Sequence, residues 1–302
     1  MPEHKAFQRY FQKFSPYQTH TTVFGEVYKW FWSNMAFDNF TLDIDSSVIT
    51  RYGDQDASSK GYNPKKPGRK LHHPLIAFVA DVEMVANFWL RSGDSHSANN
   101  FQAFLEETLQ HFPGKKIGLL RLDSGFYSKE IFDYLDNREQ KTEYIVAVPM
   151  YYSIQRMIAS VRNWLKIDNG IEIGEFTYQA PEWSAARRII TVRQKIEQRP
   201  DAVGKQLSLF DDMLDYNGYR YTCYITSLTL GAAEVWRLYR GRANCENKIK
   251  ELKYDYGLDK INQASFEGTE ASLVVMTIAY NFMSLFRQVI NSRKSPKSFI
   301  NS

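Results

Sequence analysis

Three short stretches of the chain carry acids in places where acids are unusual. The first, Leu42-Asp43-Ile44-Asp45-Ser46-Ser47, sets two carboxylates into an apolar run, and aspartate is disfavoured in strands. Side chains two apart on a strand point the same way, so Asp43 and Asp45 share a face. Like charges on one face repel unless a cation or a base lies between them; the alternative is an edge strand with a solvated face. The second, Arg121-Leu122-Asp123-Ser124-Gly125-Phe126-Tyr127, ends an apolar strand on an acid, and Gly125 allows a tight turn into a helix. Ligand sites collect at the carboxyl ends of strands in α/β sheets, while Asp123 or Ser124 could as well cap the helix. The third is a helical segment holding Tyr239, Arg242, Glu246 and Lys253. On one continuous helix these four fall within an arc of about 60° and extend over roughly 20 Å. An exposed face with ordinary intrahelical ion pairs would look the same. Gly241 inside that helix costs about 1 kcal/mol relative to Ala, which points to close approach of another backbone or to drift.

Together these acids define a chemistry. An Asp on a first strand, an Asp after a fourth and a Glu on a late helix can converge in an RNase H-like sheet. Three carboxylates suit magnesium, a hard cation that takes oxygen ligands and keeps several waters. Two such ions about 3.5–4 Å apart can activate an attacking oxygen and stabilise a leaving one. That is phosphodiester chemistry, with water or a DNA 3′-hydroxyl as nucleophile.

The elements needed to position these residues follow from periodicity. Helical spacing covers His4 to Phe14 and Thr22 to about Met35. Strands are expected at Thr41 to Thr50, Pro74 to Asp81 and Val85 to Leu90, then a helix over Ser95 to His111, a strand over Lys116 to Leu122, a helix over Tyr127 to Asn137 and a strand over Tyr144 to Val148. Three consecutive strands followed by alternating units predict a mixed sheet with helices on its faces. Ile171 to Tyr178, Arg187 to Ile196 and Tyr219 to Ile225 alternate as half-buried strands do, with a polar stretch, Gln198 to Asn217, between the last two. Two long helices close the chain, Ala232 to Tyr256, capped by Gly257, and Glu267 to Ile290. The fold class expected is α/β, an RNase H-like mixed sheet flanked by helices and interrupted by a β-rich insertion. The expected divisions are a helical N-terminal segment (1–39), the first part of the catalytic domain (40–149), the insertion (150–226) and the catalytic domain's C-terminal helices (227–302).

Composition bounds the partners. The 302 residues carry a formal net charge of +4, which permits a nucleic-acid partner without requiring one. Lys60 to His73 concentrates Lys60, Lys65, Lys66, Arg69 and Lys70 with no acid among them, and Gly61, Pro64, Pro67 and Gly68 break any regular element there. This stretch is either a solvated loop or a flexible basic loop that meets phosphates. Two cysteines, Cys223 and Cys245, without a C-x-x-C make neither a disulfide framework nor a zinc site. The N-terminus has no apolar run, so no signal peptide is expected. The most apolar segment, Ser272 to Phe286, is shorter than a membrane span and reads as a buried helix. No H-E-x-x-H or Gly-x-Ser-x-Gly occurs, against zinc or Ser-His-Asp chemistry.

With these residues in place, the chain resembles the DDE-type transposases of bacterial insertion sequences in the group marked by a Y-R-E-K motif. That motif runs Tyr, two residues, Arg, three residues, Glu, six residues, Lys, and stands here as Tyr239, Arg242, Glu246 and Lys253. Asp45 with Ser46 and Ser47 is similar to the family's first acid, and Asp123-Ser124-Gly125-Phe126-Tyr127 to its second. The resemblance covers about Thr41 to Ile290. It implies a metal-binding catalytic triad of Asp45, Asp123 and Glu246, with Asp43 the rival for the first position, and two Mg²⁺ or Mn²⁺ ions as cofactors. Tyr239, Arg242 and Lys253 would contact phosphates of the transposon end, and Lys65, Lys66 and Arg69 would add to the DNA surface. Relatives stack an aromatic from the insertion on a flipped base; Trp183, beside Arg187 and Arg188, is the candidate here, and a packed Trp is the plainer reading. The implied function is cut-and-paste transposition on double-stranded DNA, inverted repeats and target alike, by a homodimer that forms on DNA in the bacterial cytoplasm, associated with the nucleoid and not with a membrane. Family members usually carry a longer N-terminal region that reads the inverted repeat, whereas 42 residues precede Asp43 here. The competing expectations are an RNase H-like nuclease without strand transfer and a truncated, non-catalytic DNA-binding remnant.

Overall fold

The computed structural model describes residues 4–14, 17–196, 218–263 and 265–292. The chain forms two compact units, Met1–Leu120 with Arg242–Ser302, and Arg121–Gly241.

The first unit contains α1 (His4–Gln12), α2 (Tyr17–Ser33), β1 (Asn39–Ser46), β2 (Ile49–Thr50), β3 (Ser59–Lys60), β4 (Lys70–His72), β5 (Leu75–Val79), β6 (Met84–Trp89), α3 (Phe101–Gln110), the first residues of β7 (Lys116–Leu122), α7 (Ala243–Tyr254) and α8 (Phe266–Ser292). Its main strands run in the order β6-β5-β1-β7. β1 is antiparallel to β5, with Asp43 opposite Phe78 and Asp45 opposite Ile76. β5 is apolar throughout and every residue in it is buried, the pattern of a strand covered on both faces. α8 packs against β6. It is long and apolar enough to cross a membrane by length and composition, but Leu273, Val274 and Tyr280 are buried within the unit. The Asn281 side chain also accepts from the Val85 N–H at 2.7 Å and donates to its carbonyl at 2.8 Å.

Two expectations are corrected here. The strand expected over Thr41 to Thr50 divides, and β2 instead joins a small sheet in the order β2-β4-β3. Strands of two or three residues carry no readable period. That sheet is held at Gly61 and Gly93, where backbones approach so closely that a Cβ on Gly61 would lie 1.8 Å from the Gly93 carbonyl oxygen. The helix expected from Ser95 starts only at Phe101, because Asn100 is left-handed at φ 60°, a conformation that cannot continue a right-handed helix.

The second unit holds the end of β7, a 3₁₀ turn (Ser124–Phe126), α4 (Lys129–Asp136), β8 (Glu143–Val148), α5 (Tyr152–Ser160), β9 (Leu165–Asp168), β10 (Ile171–Tyr178), β11 (Arg187–Lys195), β12 (Tyr219–Thr226) and α6 (Ala232–Arg240). Its strands run β8-β12-β11-β10-β9, and β10 and β11 pair without a shift from Ile171–Gln194 to Tyr178–Arg187. The expected strands Ile171–Tyr178 and Lys116–Leu122 have the observed bounds. The polar stretch Gln198 to Asn217 lies outside the described residues. Cys223 is buried in this unit and Cys245 in the first.

The continuous helix expected from Ala232 to Tyr256 is also corrected: it breaks after Arg240, and α7 begins at Ala243. The cause lies 120 residues upstream in sequence. The Arg121 guanidinium donates to the Leu238 carbonyl at 2.6 Å, satisfying a helix-end acceptor that would otherwise lack a partner. A Cβ on Gly241 would lie 2.5 Å from that same Arg121 nitrogen. The glycine thus makes room for a side chain. At the far end of α7 the expected cap is present: Gly257 is left-handed at φ 69°, and the Leu258 N–H donates to the Leu252 carbonyl at 2.9 Å.

Candidate active site

In the first unit, β1 carries both candidate acids into the interior. Asp43 and Asp45 are both buried, Asp45 at 7% exposure. A buried carboxylate requires compensation by charge or hydrogen bonds, and Asp45 has both: the Ser46 N–H donates to its Oδ1 at 2.8 Å, and the Arg242 guanidinium lies 3.0 Å from its Oδ2. Arg242, at 5% exposure, also lies 3.8 Å from Glu246 one helical turn along, whose side chain is 61% exposed. Asp45, Arg242 and Glu246 therefore form a carboxylate–guanidinium–carboxylate series within one unit. The sequence expectation placed Arg242 on DNA phosphates; here it is occupied with Asp45.

Lys253, two turns beyond Glu246, donates to the Val48 carbonyl at 3.0 Å. Burial holds its pKa below the ordinary lysine value; Lys65 pushes the same way, opposed by Asp259 and Asp45. Lys253 lines a cavity of about 640 Å³ together with Lys65 and Lys66. The basic loop of the sequence is thus brought to the lysine of the motif. It is anchored by buried Asn63, which accepts from the Lys66 N–H at 3.0 Å and donates to Thr50 Oγ1 at 2.9 Å. Arg69 stands 5.8 Å from the Tyr52 ring centre. The sequence reading missed Arg51, Tyr52, Tyr254 and Lys260 on the same cavity. The only sequence signal was their position, just after β2 and around the Gly257 cap.

In the second unit, Asp123 closes β7 and accepts from the Gly125 N–H at 2.9 Å, so the capping role is realised at the 3₁₀ turn. Tyr239 packs on Tyr224 at 4.4 Å between ring centres and donates from its hydroxyl to the Leu122 carbonyl at 3.2 Å. It therefore fixes the residue before Asp123. Because the helix is broken, Tyr239 belongs to α6 and the other three motif residues to α7 or its first turn. Arg242, Glu246 and Lys253 alone share one helix and its N-terminal cap.

Trp183 and Arg187 are both buried. Arg187 lies 4.9 Å from the Trp183 ring centre and pairs with Asp136 at 2.7 Å and Asp133 at 3.3 Å. The packed reading of Trp183 describes what is observed, and in this state the ring is not available to stack on a base.

Among the described residues, no group of three or more His, Cys, Asp or Glu side chains is gathered as metal ligands. The donor set of the first unit nonetheless suits a hard divalent ion. Asp45 and Glu246 offer carboxylate oxygens, and the buried Asp45 already takes a cation, the Arg242 guanidinium.

Comparisons with known proteins bear on the family and the fold. Residues 8–299 match the transposase DDE domain, group 1. Among solved structures the chain is similar to a piggyBac transposase, seen by cryo-EM in a synaptic complex with hairpin DNA, at 12% identity and a TM-score of 0.50. The match covers 85% of this chain and 49% of that one, so the chain spans about half the length of that protein. At such identity the likeness speaks for the fold, a mixed α/β arrangement with a large mixed sheet flanked by helices. No curated protein matches the chain.

Proposed function

Because the chain belongs to the DDE-domain transposases of group 1, we propose that it is the catalytic core of a DNA transposase. In this reading it cleaves transposon ends with divalent metal ions and joins the exposed 3′-hydroxyl to target DNA. The observation that carries the reading is the series Asp45–Arg242–Glu246, a buried first-strand carboxylate held against the Arg and Glu of the helical motif.

Asp45 and Glu246 in the first unit and Asp123 in the second supply the carboxylates, with Asp43 the alternative to Asp45. Two Mg²⁺ or Mn²⁺ ions, when bound, would activate the attacking oxygen and stabilise the leaving one. The chain's own residues do the rest. Arg242 neutralises Asp45 until a DNA phosphate competes for the guanidinium, which forms bidentate contacts with phosphate as readily as with carboxylate. Tyr239 positions the strand end at Asp123 through the Leu122 carbonyl. Lys253, Lys65 and Lys66 gather phosphate charge at the cavity, and Arg69 extends that surface. The partners are double-stranded DNA, as inverted repeats and as target, and a second copy of the chain on paired ends. The spacing of Tyr239, Arg242, Glu246 and Lys253 in the sequence supports assignment to the insertion-sequence group with the Y-R-E-K motif.

The test is cleavage of end-labelled DNA carrying the repeats that flank the gene, in Mg²⁺ or Mn²⁺. Specific cuts at the repeat boundary and joined products are expected, both lost in Asp123→Asn and Glu246→Gln. A double variant that still cuts overturns the assignment. Nicks without joined products would restrict the activity to a nuclease.

A further inference from the structure

The cavity beside Lys253 has features that a smooth duplex-binding surface does not need. It is deep enough to enclose about 640 Å³, within the ~300–1,000 Å³ of sites that enclose small ligands. One wall is Arg51, at 4% exposure. Its guanidinium is held on two sides: Nε donates to His72 Nδ1 at 3.0 Å, and Nη1 to the carbonyls of Ile261 at 3.0 Å and Asp259 at 3.4 Å. Its Nη2 is buried and has no hydrogen-bond partner among the described residues. Burial lowers the Arg51 pKa to about 10, partly countered by Asp259, so the group stays cationic at neutral pH. A buried donor on a charged group is costly to leave unmade, and here it belongs to a side chain that lines a cavity.

The remaining lining supplies the rest of a recognition site. Lys65, Lys66, Lys253 and Lys260 add four cations against one carboxylate, Asp259. Tyr52 and Tyr254 line the same space and are 67% and 75% exposed. Lys66 donates to the Tyr52 hydroxyl and lies 4.6 Å from the centre of its ring, so that ring is oriented by a cation. Cations that hold a phosphate, beside aromatic faces on which any base can stack, are the elements of single-strand recognition.

We propose that this cavity holds one nucleotide of a single-stranded DNA end, its phosphate on Arg51 and Lys253 and its base on Tyr254 or Tyr52. The assignment rests on the transposase reading and deepens it: it names the part of the DNA that enters this site. The shared chemistry, a nucleoside phosphate, could also come from a free nucleotide, and the two sources are separable.

The experiment is fluorescence anisotropy on the full chain without added metal. The probes are a 5′-phosphorylated, 3′-labelled single strand and a blunt duplex of the same length, with deoxyadenosine monophosphate as competitor. The single strand should bind at least tenfold more tightly than the blunt duplex. Tyr254→Ala, at an exposed position, should cost about tenfold on the single strand, the scale of one lost stacking contact, and leave duplex binding unchanged. Arg51→Lys should weaken the single strand further where circular dichroism shows it folded. Equal affinity for both DNA forms, or a Tyr254→Ala protein with undiminished single-strand binding, overturns the proposal. Displacement by the mononucleotide at concentrations comparable to the oligonucleotide overturns the DNA source in favour of a free nucleotide. If the single strand fails to bind while boundary cleavage persists, the cavity assignment falls alone; if cleavage is independent of Asp123 and Glu246, the transposase reading falls with it.

Discussion

The Arg242 guanidinium lies 3.0 Å from the Asp45 carboxylate, with both side chains buried. Removing one partner of a buried ion pair leaves an uncompensated charge and typically costs ~3–5 kcal/mol. Arg242→Gln should therefore lower the melting temperature, and Mn²⁺ should restore part of the loss by supplying the missing cation. Wild-type protein should respond less to Mn²⁺ under the same conditions. Thermal unfolding with and without the ion measures this, and a variant as stable as wild type with no Mn²⁺ response would show that the pair does not control the site.

Gly241→Ala separates two physical effects of opposite sign. Gly241 has a right-handed backbone that alanine also adopts, so the reduced freedom of the unfolded chain alone predicts stabilisation by about 0.4–1 kcal/mol. Overpacking against Arg121, 2.5 Å from the new Cβ, predicts a loss of ~1–3 kcal/mol, together with the guanidinium's bond to Leu238. The loss should win in denaturant unfolding, and the Arg121→Ala background should shrink or reverse it.

Lys65→Ala and Lys253→Ala should weaken duplex binding to a similar extent whatever the DNA sequence. Each should reduce the slope of log K against log salt by about one if it removes one phosphate contact. Titrations at three or more salt concentrations provide the slope, and an unchanged slope would remove the residue from the DNA surface.

Glu270 is buried in α8, accepts from the Leu90 N–H at 2.8 Å, and has its pKa raised by burial to about 8. It holds its proton more tightly in the folded chain than in the unfolded one, so its contribution to stability is complete below pH 4.5 and is lost as pH rises through 8. Nearby His20, 3.8 Å away, is lowered by burial to about 4. Its contribution runs the other way, present above 6.5 and lost as pH falls through 4. Glu270→Gln keeps an acceptor for Leu90 and removes the titration. Its stability relative to wild type should grow between pH 5 and 8, on the order of a few kcal/mol, and a difference that stays flat across that range would contradict the assignment.

What the sequence shows and what it hides divides by range. Lys116–Leu122 and Ile171–Tyr178 are legible because alternation and apolar runs are local signals. The carboxylates of β1 are legible because acids are rare in such a setting. The break at Gly241 is hidden because its cause, Arg121, is distant in the chain. The cavity is hidden for the same reason: Arg51, Lys65 and Lys253 come from three separate segments, and only folding turns a charged loop into a lined space. Trp183 shows the limit of analogy, since its surroundings of Arg187, Phe132 and Tyr178 follow from how the second unit packs.

The two cysteines give each unit its own clock. Cys223 lies in the second unit with its thiol pushed up to about 12 by burial, and Cys245 is buried in the first. A thiol reacts as the thiolate, so alkylation at either position requires an opening that exposes it. Since the chain has no other cysteine, the rate at which each sulfur is labelled reports how often its own unit opens. The two openings can be followed in one sample, by mass, without adding a probe.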